Sequence, residues 1–366
     1  MKFYATLPPG LEDVASEEIK RLGGSIEEIR KLRGRVFFKG KKKLISELNY
    51  KARCIERVIL LLVRGFFENL DEIYYAIKKL DFKFLEGKSF AIRSMRTGEH
   101  DFTSIDVARV AGQAVIDSFM ENYKKRLRVN LNEPDVIIRV DVVENEFFVG
   151  IDTTGDDALH KRWWRVYNHP AHLNSTIACA MIYLSEWKKN ENLIDPMCGS
   201  GTIPIEAALI GRNIAPGKNR MFAYSKICNC DVPKVKEGKD IMDIRGIEKF
   251  RKHLDGAIKN AESAGVLDTI SFKLGDATKM DGNYDVIITN PPYGLRIASK
   301  KVIEKLYNGF VRSAKECMND KSRLVVITAE EKILREAIAN KRLSIVHERF
   351  VRYGGLNTKI LVVTKD

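Results

Sequence analysis

The sequence predicts an α/β protein in which a first half of mixed short strands and helices precedes a parallel sheet with helices on both faces. The second half repeats one pattern, a short apolar strand followed by a glycine turn and a helix. Strands that are apolar throughout are typical of parallel sheets buried on both faces. The pattern changes after Ile151, where strand periodicity stops and a polar segment begins. A length of 366 residues, 45% of them hydrophobic, is typical of a globular chain of two or three domains.

The first half is expected to alternate strands and helices. Apolar side chains at every second residue indicate the strands, and apolar side chains three or four residues apart indicate the helices. Ser104 is predicted to cap the longest helix, because its hydroxyl can accept a hydrogen bond from a free N–H of the first turn. The predicted strands cover residues 2–7, 36–38, 58–63, 89–93, 136–142 and 146–151, and the predicted helices cover 11–22, 43–52, 71–80 and 104–123.

The second half is expected to supply the parallel sheet and a C-terminal hairpin. Gly354 and Gly355 are predicted to join the two hairpin strands, residues 344–353 and 359–364. Residues 212–243 are rich in Lys, Pro and Gly, and they are predicted to form an inserted surface loop. The parallel strands are predicted at residues 193–197, 244–248, 269–274, 285–289 and 323–328, and one of the intervening helices at 250–264.

The charge balance favours a polyanionic partner. The formal net charge is +13, which suits nucleic acid, although lysines that only keep the protein soluble would give the same balance. The longest purely aliphatic run, residues 58–63, is far too short to cross a bilayer. The first residues lack the apolar core of a signal peptide. The sequence therefore predicts a cytoplasmic protein with no membrane partner.

The cysteines do not predict a metal site. Of the six, only Cys228 and Cys230 lie close together in the sequence. No second pair or nearby histidine completes a metal-ligand set. We therefore expect free thiols and no bound metal.

A glycine-rich turn follows the first parallel strand. Gly199 and Gly201 allow the backbone to approach a ligand closely, and the helix that follows offers free N–H groups at its start. The third glycine of the nicotinamide-binding fingerprint is missing, because Pro204 stands in its place. The residues of this turn predicted to contact a cofactor are Asp195, Cys198, Gly199, Ser200, Gly201 and Thr202.

Acidic residues follow the next two strands. Glu248 can accept hydrogen bonds from both hydroxyls of a ribose, and Asp276, which precedes Ala277, can accept one from an adenine amino group. Carboxylates at the C-terminal ends of successive parallel strands converge on one crevice. Glu248, Asp276 and Ala277 are therefore predicted to complete a nucleoside-binding site, with surface acids at strand ends as the alternative.

The motif Asn290-Pro291-Pro292-Tyr293 follows a fourth strand and is the predicted catalytic site. The lone pair of an exocyclic amine on a nucleobase is delocalised into the ring, so the amine is a poor nucleophile. The side-chain carbonyl of Asn290 and the main-chain carbonyl of Pro291 can accept hydrogen bonds from the two N–H groups of such an amine and so orient the lone pair toward a methyl group. The prolines fix the direction of these acceptors, and Tyr293 offers a face on which the base can stack. A proline-stiffened turn is the alternative.

These motifs together resemble the Rossmann-fold methyltransferases that act on amino groups. In the first half, residues 90–106, which include 96–102, and residues 135–155 with 159–162 after them are similar to the THUMP RNA-binding domain and its exit. The opening segment is similar to the ferredoxin-like piece that precedes such domains. The combination resembles the tRNA guanine-N2 methyltransferases that modify position 6 of the acceptor stem. Relatives that act on nucleotide 10 usually carry Asp where this chain has Asn290.

The resemblance implies S-adenosylmethionine as the cofactor, which Asn290 would also contact, and tRNA as the partner. It implies a ferredoxin-like segment at 1–42, a THUMP-like domain at 43–155, a linker at 156–172 and a Rossmann-like methyltransferase domain at 173–366. The pair Trp163-Trp164 departs from the Gly-Tyr that is common in relatives. The linker rings and cations are predicted to stack and to contact phosphates, with buried tryptophans that bridge two domains as the alternative.

Other functions remain open at this stage. Methylation at tRNA nucleotide 10 or in ribosomal RNA would need the same motifs. Amino-group methyltransferases that act on DNA adenine or on protein glutamine can also use the sequence Asn-Pro-Pro-Tyr, and only the RNA-binding-like first half argues against them. A non-catalytic RNA-binding protein would not need an intact motif at Asn290. The sequence indicates no protein partner.

Overall fold

Each half of the chain forms one sheet. The computed structural model describes residues 1–228, 230–293 and 300–365, so Gly294 at the end of the Asn290 motif and the last residue of the predicted domain 173–366 lie outside the described residues. Within these ranges, an eight-stranded sheet ends at Asp152 and a seven-stranded sheet begins at Leu193. The predicted α/β class is confirmed. No described helix is both long and apolar enough to cross a membrane.

The first sheet has the strand order β2-β3-β1-β4-β8-β7-β5-β6. It is mixed, because β5 pairs in parallel with β6 and β7 while the other pairs are antiparallel. The elements are β1 Lys2–Thr6, α1 Glu12–Arg21, β2 Ser25–Arg30, β3 Arg35–Lys39, α2 Leu44–Lys51, β4 Arg57–Phe66, α3 Leu70–Lys78, β5 Ser89–Thr97, α4 Ser104–Tyr123, β6 Arg128–Val129, β7 Val136–Val143 and β8 Glu146–Asp152.

The first sheet differs from the sequence analysis at its two edge strands, β2 and β6, neither of which was predicted, and at one helix cap. Strand β2 was not predicted, because it lies at the sheet edge and its side chains alternate between exposed and half-buried. The prediction that Ser104 caps α4 is wrong. Thr103 is the cap, since its hydroxyl accepts the N–H of Asp106 at 3.3 Å while the Asp106 carboxylate accepts the N–H of Thr103 at 2.9 Å.

The second sheet has the strand order β11-β10-β9-β12-β13-β15-β14. Strands β9 to β13 pair in parallel, and β13, β15 and β14 form the predicted antiparallel end. The chain leaves β9 toward β10 on one side and later returns to β12 on the other, so a crevice opens at the C-terminal end of β9. The elements are α5 Ser175–Leu184, β9 Leu193–Asp195, α6 Thr202–Gly211, α7 Tyr224–Ile227, β10 Ile244–Glu248, α8 Arg251–Ala264, β11 Ile270–Leu274, β12 Tyr284–Thr289, α9 Lys300–Glu316, β13 Met318–Thr328, α10 Glu331–Ala339, β14 Leu343–Tyr353 and β15 Leu356–Lys365.

The insertion at 212–243 packs against the first half. The N–H of Gly217 donates to the Tyr50 carbonyl at 2.9 Å, and the N–H of Tyr224 donates to the Thr153 carbonyl at 3.0 Å. Tyr224 is buried. The insertion is therefore a bridge between the halves and not only a surface loop. The expectation of free thiols is wrong for Cys228 and Cys230, which form a disulfide.

A buried ion-pair network joins the two sheets. Glu206 of α6 accepts the Nε–H of Arg162 at 2.7 Å, and Nη1 of Arg53 lies 3.6 Å from its other oxygen. All three side chains are buried, and Trp164 beside them has no exposed surface. Burial alone would raise the pKa of Glu206, but the two guanidiniums hold it below its ordinary value. Of the two predictions for the linker, the buried tryptophan between the domains is therefore correct for Trp164.

Candidate active site

The predicted cofactor turn begins at a buried carboxylate. Asp195, the last residue of β9, is 2% exposed. Its Oδ1 accepts the hydroxyl of Thr289 at 2.8 Å and the N–H of Met197 at 3.2 Å. Burial raises the pKa of Asp195 to about 7 in spite of these two bonds. Because Thr289 precedes Asn290, the contact fixes the predicted catalytic motif against the cofactor turn.

The two glycines of the turn have the backbone geometry that the sequence suggested. Gly199 and Gly201 have positive φ values of 54° and 79°, and Gly201 is the N-cap of α6. A Cβ at Gly201 would lie 3.2 Å from the Cβ of Ala257, so the turn has no room for a side chain there. Ser200 and Thr202 are buried, and the N–H of Cys198 donates to the Ile247 carbonyl of β10. The turn is thus held tightly against the neighbouring strand.

Glu248 connects the ends of β9 and β10. Its Oε2 accepts the N–H of Gly199 at 3.0 Å, and its Oε1 accepts the N–H of Phe250 at 2.9 Å. The ring of Phe250 is 61% exposed beside this carboxylate. An exposed aromatic face at the end of a central strand is suited to stacking on a base. The sequence analysis did not select Phe250, because a single aromatic residue at the start of a helix carries no motif.

Asp276 lies one strand further out. Its Oδ1 accepts both the N–H of Thr278 at 2.9 Å and its hydroxyl at 2.8 Å, and these bonds lower the pKa of Asp276. Its Oδ2 lies 3.4 Å from the Lys249 ammonium. The preceding Gly275 donates its N–H to the Glu248 carbonyl, and Ala277 is buried. Asp276 is therefore next to the Glu248 site, but one of its oxygens already caps its own turn.

The described part of the predicted catalytic motif continues from β12. The Tyr293 hydroxyl donates to the Asn290 side-chain carbonyl, and burial raises the pKa of that hydroxyl above its usual range. Pro291 is buried, whereas Pro292 is exposed and its carbonyl accepts the Tyr307 hydroxyl at 3.4 Å. The Asn290 acceptor is thus held in a fixed direction by a neutral donor, which an incoming N–H group could replace.

Contacts from the linker complete the site. The Arg165 guanidinium donates to hydroxyls on both sides of the cofactor turn, and the ring of His169 lies over Gly199, 3.9 Å from where a Cβ would stand. The Tyr353 hydroxyl of β14 donates to the carbonyl of His172. Hydrogen bonds therefore join the turn after β9 to Glu248 and to Thr289, the neighbour of Asn290, with Asp276 at the border of this unit.

Three family models match this chain. The model described as the RMKL-like methyltransferase domain covers residues 162–359. The THUMP domain covers residues 67–152, and the RlmL ferredoxin-like domain covers residues 2–59. Together these matches follow the order of the two sheets along the chain.

Curated proteins and solved structures match over nearly the whole length. The chain is 62% identical to a tRNA (guanine(6)-N2)-methyltransferase of Archaeoglobus fulgidus, over 99% of this chain and 92% of that protein. It is 51% identical to the protein of the same name from Methanocaldococcus jannaschii, over 100% of both chains. The crystal structure of SMU.472, solved in complex with SAH, has a TM-score of 0.87 and 26% identity, and covers 100% of this chain and 98% of that chain.

Proposed function

This chain belongs to the THUMP-bearing RMKL-like methyltransferases, and we propose that it transfers a methyl group from S-adenosylmethionine to N2 of guanosine 6 in tRNA. The observation that carries the proposal is that hydrogen bonds join the cofactor turn to Glu248 and, through Thr289, to the strand end that is followed by Asn290. The names of the archaeal relatives support guanosine 6 as the target. The proposed substrate implies a cytoplasmic location.

The residues present fit the proposed cofactor. Gly199 and Gly201 leave a cradle without side chains, and the start of α6 presents N–H groups to it. We propose that Glu248 holds the ribose hydroxyls, that Asp276 and Ala277 hold the adenine edge, and that the turn from Asp195 to Thr202 holds the remainder. When bound, S-adenosylmethionine supplies a methyl group on a positively charged sulfur.

The proposed catalytic role of Asn290 is to orient the target amine. Its side-chain carbonyl and the Pro291 carbonyl accept hydrogen bonds from the two N–H groups of the guanine amine, which orients the nitrogen lone pair toward the methyl group. The amine becomes cationic as the new N–C bond forms and the S–C bond breaks, so both acceptors stabilise the transition state more than the ground state. Tyr293 supports the base by stacking, and the amine proton leaves to solvent.

We propose a division of labour between the two halves. The segment 1–42 and the domain 43–155 would bind RNA, the linker 156–172 would connect them, and the domain 173–366 would carry out the reaction. A paired guanine hides its N2 amine in the minor groove, so the enzyme must extrude the base at a cost of a few kcal/mol. Contacts of the RNA backbone with basic runs of the first half are the proposed source of that free energy, namely Lys39–Lys43, Lys124-Lys125-Arg126 and Arg128.

The decisive experiment maps the methylated nucleotide. An unmodified tRNA transcript is incubated with the full-length protein and radiolabelled S-adenosylmethionine, and the labelled nucleotide is identified. We expect label at guanosine 6, and its loss when position 6 is inosine, which lacks the N2 amine. Label at nucleotide 10 or only in ribosomal RNA would replace the target, and failure of the protein to bind S-adenosylmethionine would contradict the proposed reaction.

A further inference from the structure

Arg165 lies between the starts of two helices at the edge of the cofactor turn. Its Nη2 donates to the hydroxyls of Ser175, at the start of α5, and Thr202, at the start of α6, both at 3.2 Å. Its Nη1 donates to the hydroxyl of Ser200 at 3.3 Å. The guanidinium carbon lies 4.8 Å from the centre of the Trp164 ring. The cation is therefore held in place by neutral groups only.

The described residues do not supply Arg165 with a carboxylate in ion-pair distance. The nearby Arg162 shows the contrast, because Glu206 neutralises it directly. Burial lowers the pKa of Arg165 to about 10, and the charge of Glu206 only partly offsets this. Arg165 is partly buried, and a cation that is withdrawn from water without a counter-charge is suited to bind an anionic ligand where further donors surround it.

The three hydroxyls strengthen the case for an anion. Ser175, Ser200 and Thr202 accept hydrogen bonds from Arg165, and among the hydrogen bonds of the described residues their own O–H groups have no assigned acceptor. Each hydroxyl can therefore donate to a further group. The start of α6 adds free N–H groups and the positive end of a helix dipole. An anion placed here would meet a guanidinium, hydroxyl donors and backbone donors together.

The strand order indicates which part of the cofactor reaches this point. Strand β9 lies between β10, which carries Glu248, and β12, which carries Asn290. A cofactor with its nucleoside at Glu248 and its methyl group at Asn290 must cross the turn after β9. The part that neither residue contacts is the amino-acid end, and this end carries a carboxylate.

We propose that Arg165, with the hydroxyls of Ser175, Ser200 and Thr202, binds the carboxylate of the methionine part of S-adenosylmethionine. The inference rests on the proposed function, because it takes that cofactor as the ligand. Arg165 is a cofactor-binding residue that positions the methyl group indirectly, by fixing the end of the ligand opposite the nucleoside.

Decarboxylated S-adenosylmethionine provides the matching probe, because it keeps the nucleoside, the sulfonium and the amine and lacks only the carboxylate. Calorimetry of the full-length wild type should show binding of this probe weaker than that of S-adenosylmethionine by roughly ten- to a hundredfold, as expected for a charge-assisted hydrogen bond. In Arg165→Met, the affinity for S-adenosylmethionine should fall by a similar factor, and the affinity for the probe should change by less than about threefold. Arg165→Lys should recover part of the lost affinity, because it keeps the charge without the planar fork.

Arg220 offers a matched control. Burial also lowers its pKa to about 10, and it stacks on Phe222, but it donates to the carbonyls of Asp157, Ala158 and Lys161 and not to the cofactor turn. Arg220→Met should leave the affinities for both ligands unchanged.

Three results would overturn the inference, and a fourth falls on the proposed function instead. Equal affinity of the wild type for both ligands would show that the carboxylate is not recognised. An equal loss of affinity for both ligands in Arg165→Met would show that Arg165 has only a structural role. Unchanged cofactor affinity with weaker tRNA binding would assign Arg165 to an RNA phosphate. If the wild type binds neither ligand, the proposed function itself fails.

Discussion

Replacing Arg162 with Met would test whether the buried ion-pair network holds the two halves together. The side chains of Arg162 and Glu206 have no exposed surface, and the Nε–H donates to the carboxylate at 2.7 Å. Arg162 also donates to the carbonyls of Leu159 at 2.6 Å and of Arg53 at 3.2 Å. Met has a similar length but no donor, so the substitution removes the charge and these bonds together.

The expected cost can be worked out from these contacts. Removing one partner of a buried ion pair typically costs about 3–5 kcal/mol, because the remaining charge loses its compensation. Arg53 still faces Glu206 from 3.6 Å, and the Cys179 thiol donates to it at 3.1 Å, which reduces the loss. The two carbonyls left without Arg162 add about 1 kcal/mol each. We therefore expect a loss of about 3–5 kcal/mol in the free energy of unfolding.

Unfolding in guanidinium chloride, followed by circular dichroism and tryptophan fluorescence, measures this change. Arg251→Met is the control, since Arg251 pairs with Asp255 on an exposed helix face, and such pairs contribute at most about 1 kcal/mol. The triple variant Arg53→Met, Arg162→Met, Glu206→Leu should recover part of the loss, because apolar residues can replace a whole buried network. A cost of Arg162→Met no larger than that of the control would refute the reasoning.

The same network predicts the direction of a pH effect. Because the pKa of Glu206 is lower in the folded protein than in the unfolded chain, its stabilising contribution is present above the unfolded pKa and is lost as the pH falls through the folded one. The difference in stability between the wild type and Arg162→Met should therefore narrow below about pH 4. A difference that stays constant from pH 7 to pH 3 would show that the charge of Glu206 is not involved.

The remaining predictions concern the site. Asn290→Ala should lower the rate of methyl transfer in single-turnover kinetics by a factor of about 10² to 10³. Calorimetry should show that the cofactor dissociation constant stays within a few-fold of the wild-type value. Near-normal turnover would show that the motif is structural. Glu248→Ala should weaken cofactor binding by about 1.5–3 kcal/mol. Asp276→Ala should weaken it by less, because one Asp276 oxygen already caps its own turn. Wild-type cofactor affinity in both variants would show that neither residue belongs to the site. Because the pKa of Asp195 is raised, the ligand-free protein loses stability as the pH rises from about 4 to about 7. Asp195→Asn should therefore stabilise the protein more at pH 8 than at pH 5. Denaturant midpoints that shift equally at both pH values would contradict this.

Much of the fold could be predicted from the sequence because its strands are local and apolar. The parallel strands and the C-terminal hairpin were predicted from short runs that are buried in the structure, as in β12 and β15. Strand β2 was missed because its two apolar residues, Ile26 and Ile29, stand three residues apart, so its sequence lacks the apolar period of two. The insertion was misjudged because its composition indicates a loop but does not reveal the contacts of Gly217 and Tyr224 with the other half.

The candidate site was predictable where a motif is continuous. The glycine turn, Glu248 and Asn290 each follow a strand directly, and parallel strands bring such positions together. Phe250 was missed because its role depends on what lies beside it in space. The Cys228–Cys230 disulfide was also missed, because two cysteines close in sequence can be paired or free.

The linker shows why sequence alone cannot sort structural cations from ligand-binding ones. Arg162 and Arg165 stand three residues apart in one basic and aromatic segment, and Arg162 is buried while Arg165 is partly buried. What separates them is the counter-charge, because Glu206 neutralises Arg162 while Arg165 meets only hydroxyls and a ring. Glu206 lies on a helix far along the chain, so no local pattern could have revealed which arginine it serves. A partly buried cation that lacks a counter-charge and is surrounded by hydroxyl donors beside a ligand site is therefore the stronger indication of a ligand, and among the linker cations this criterion selects Arg165.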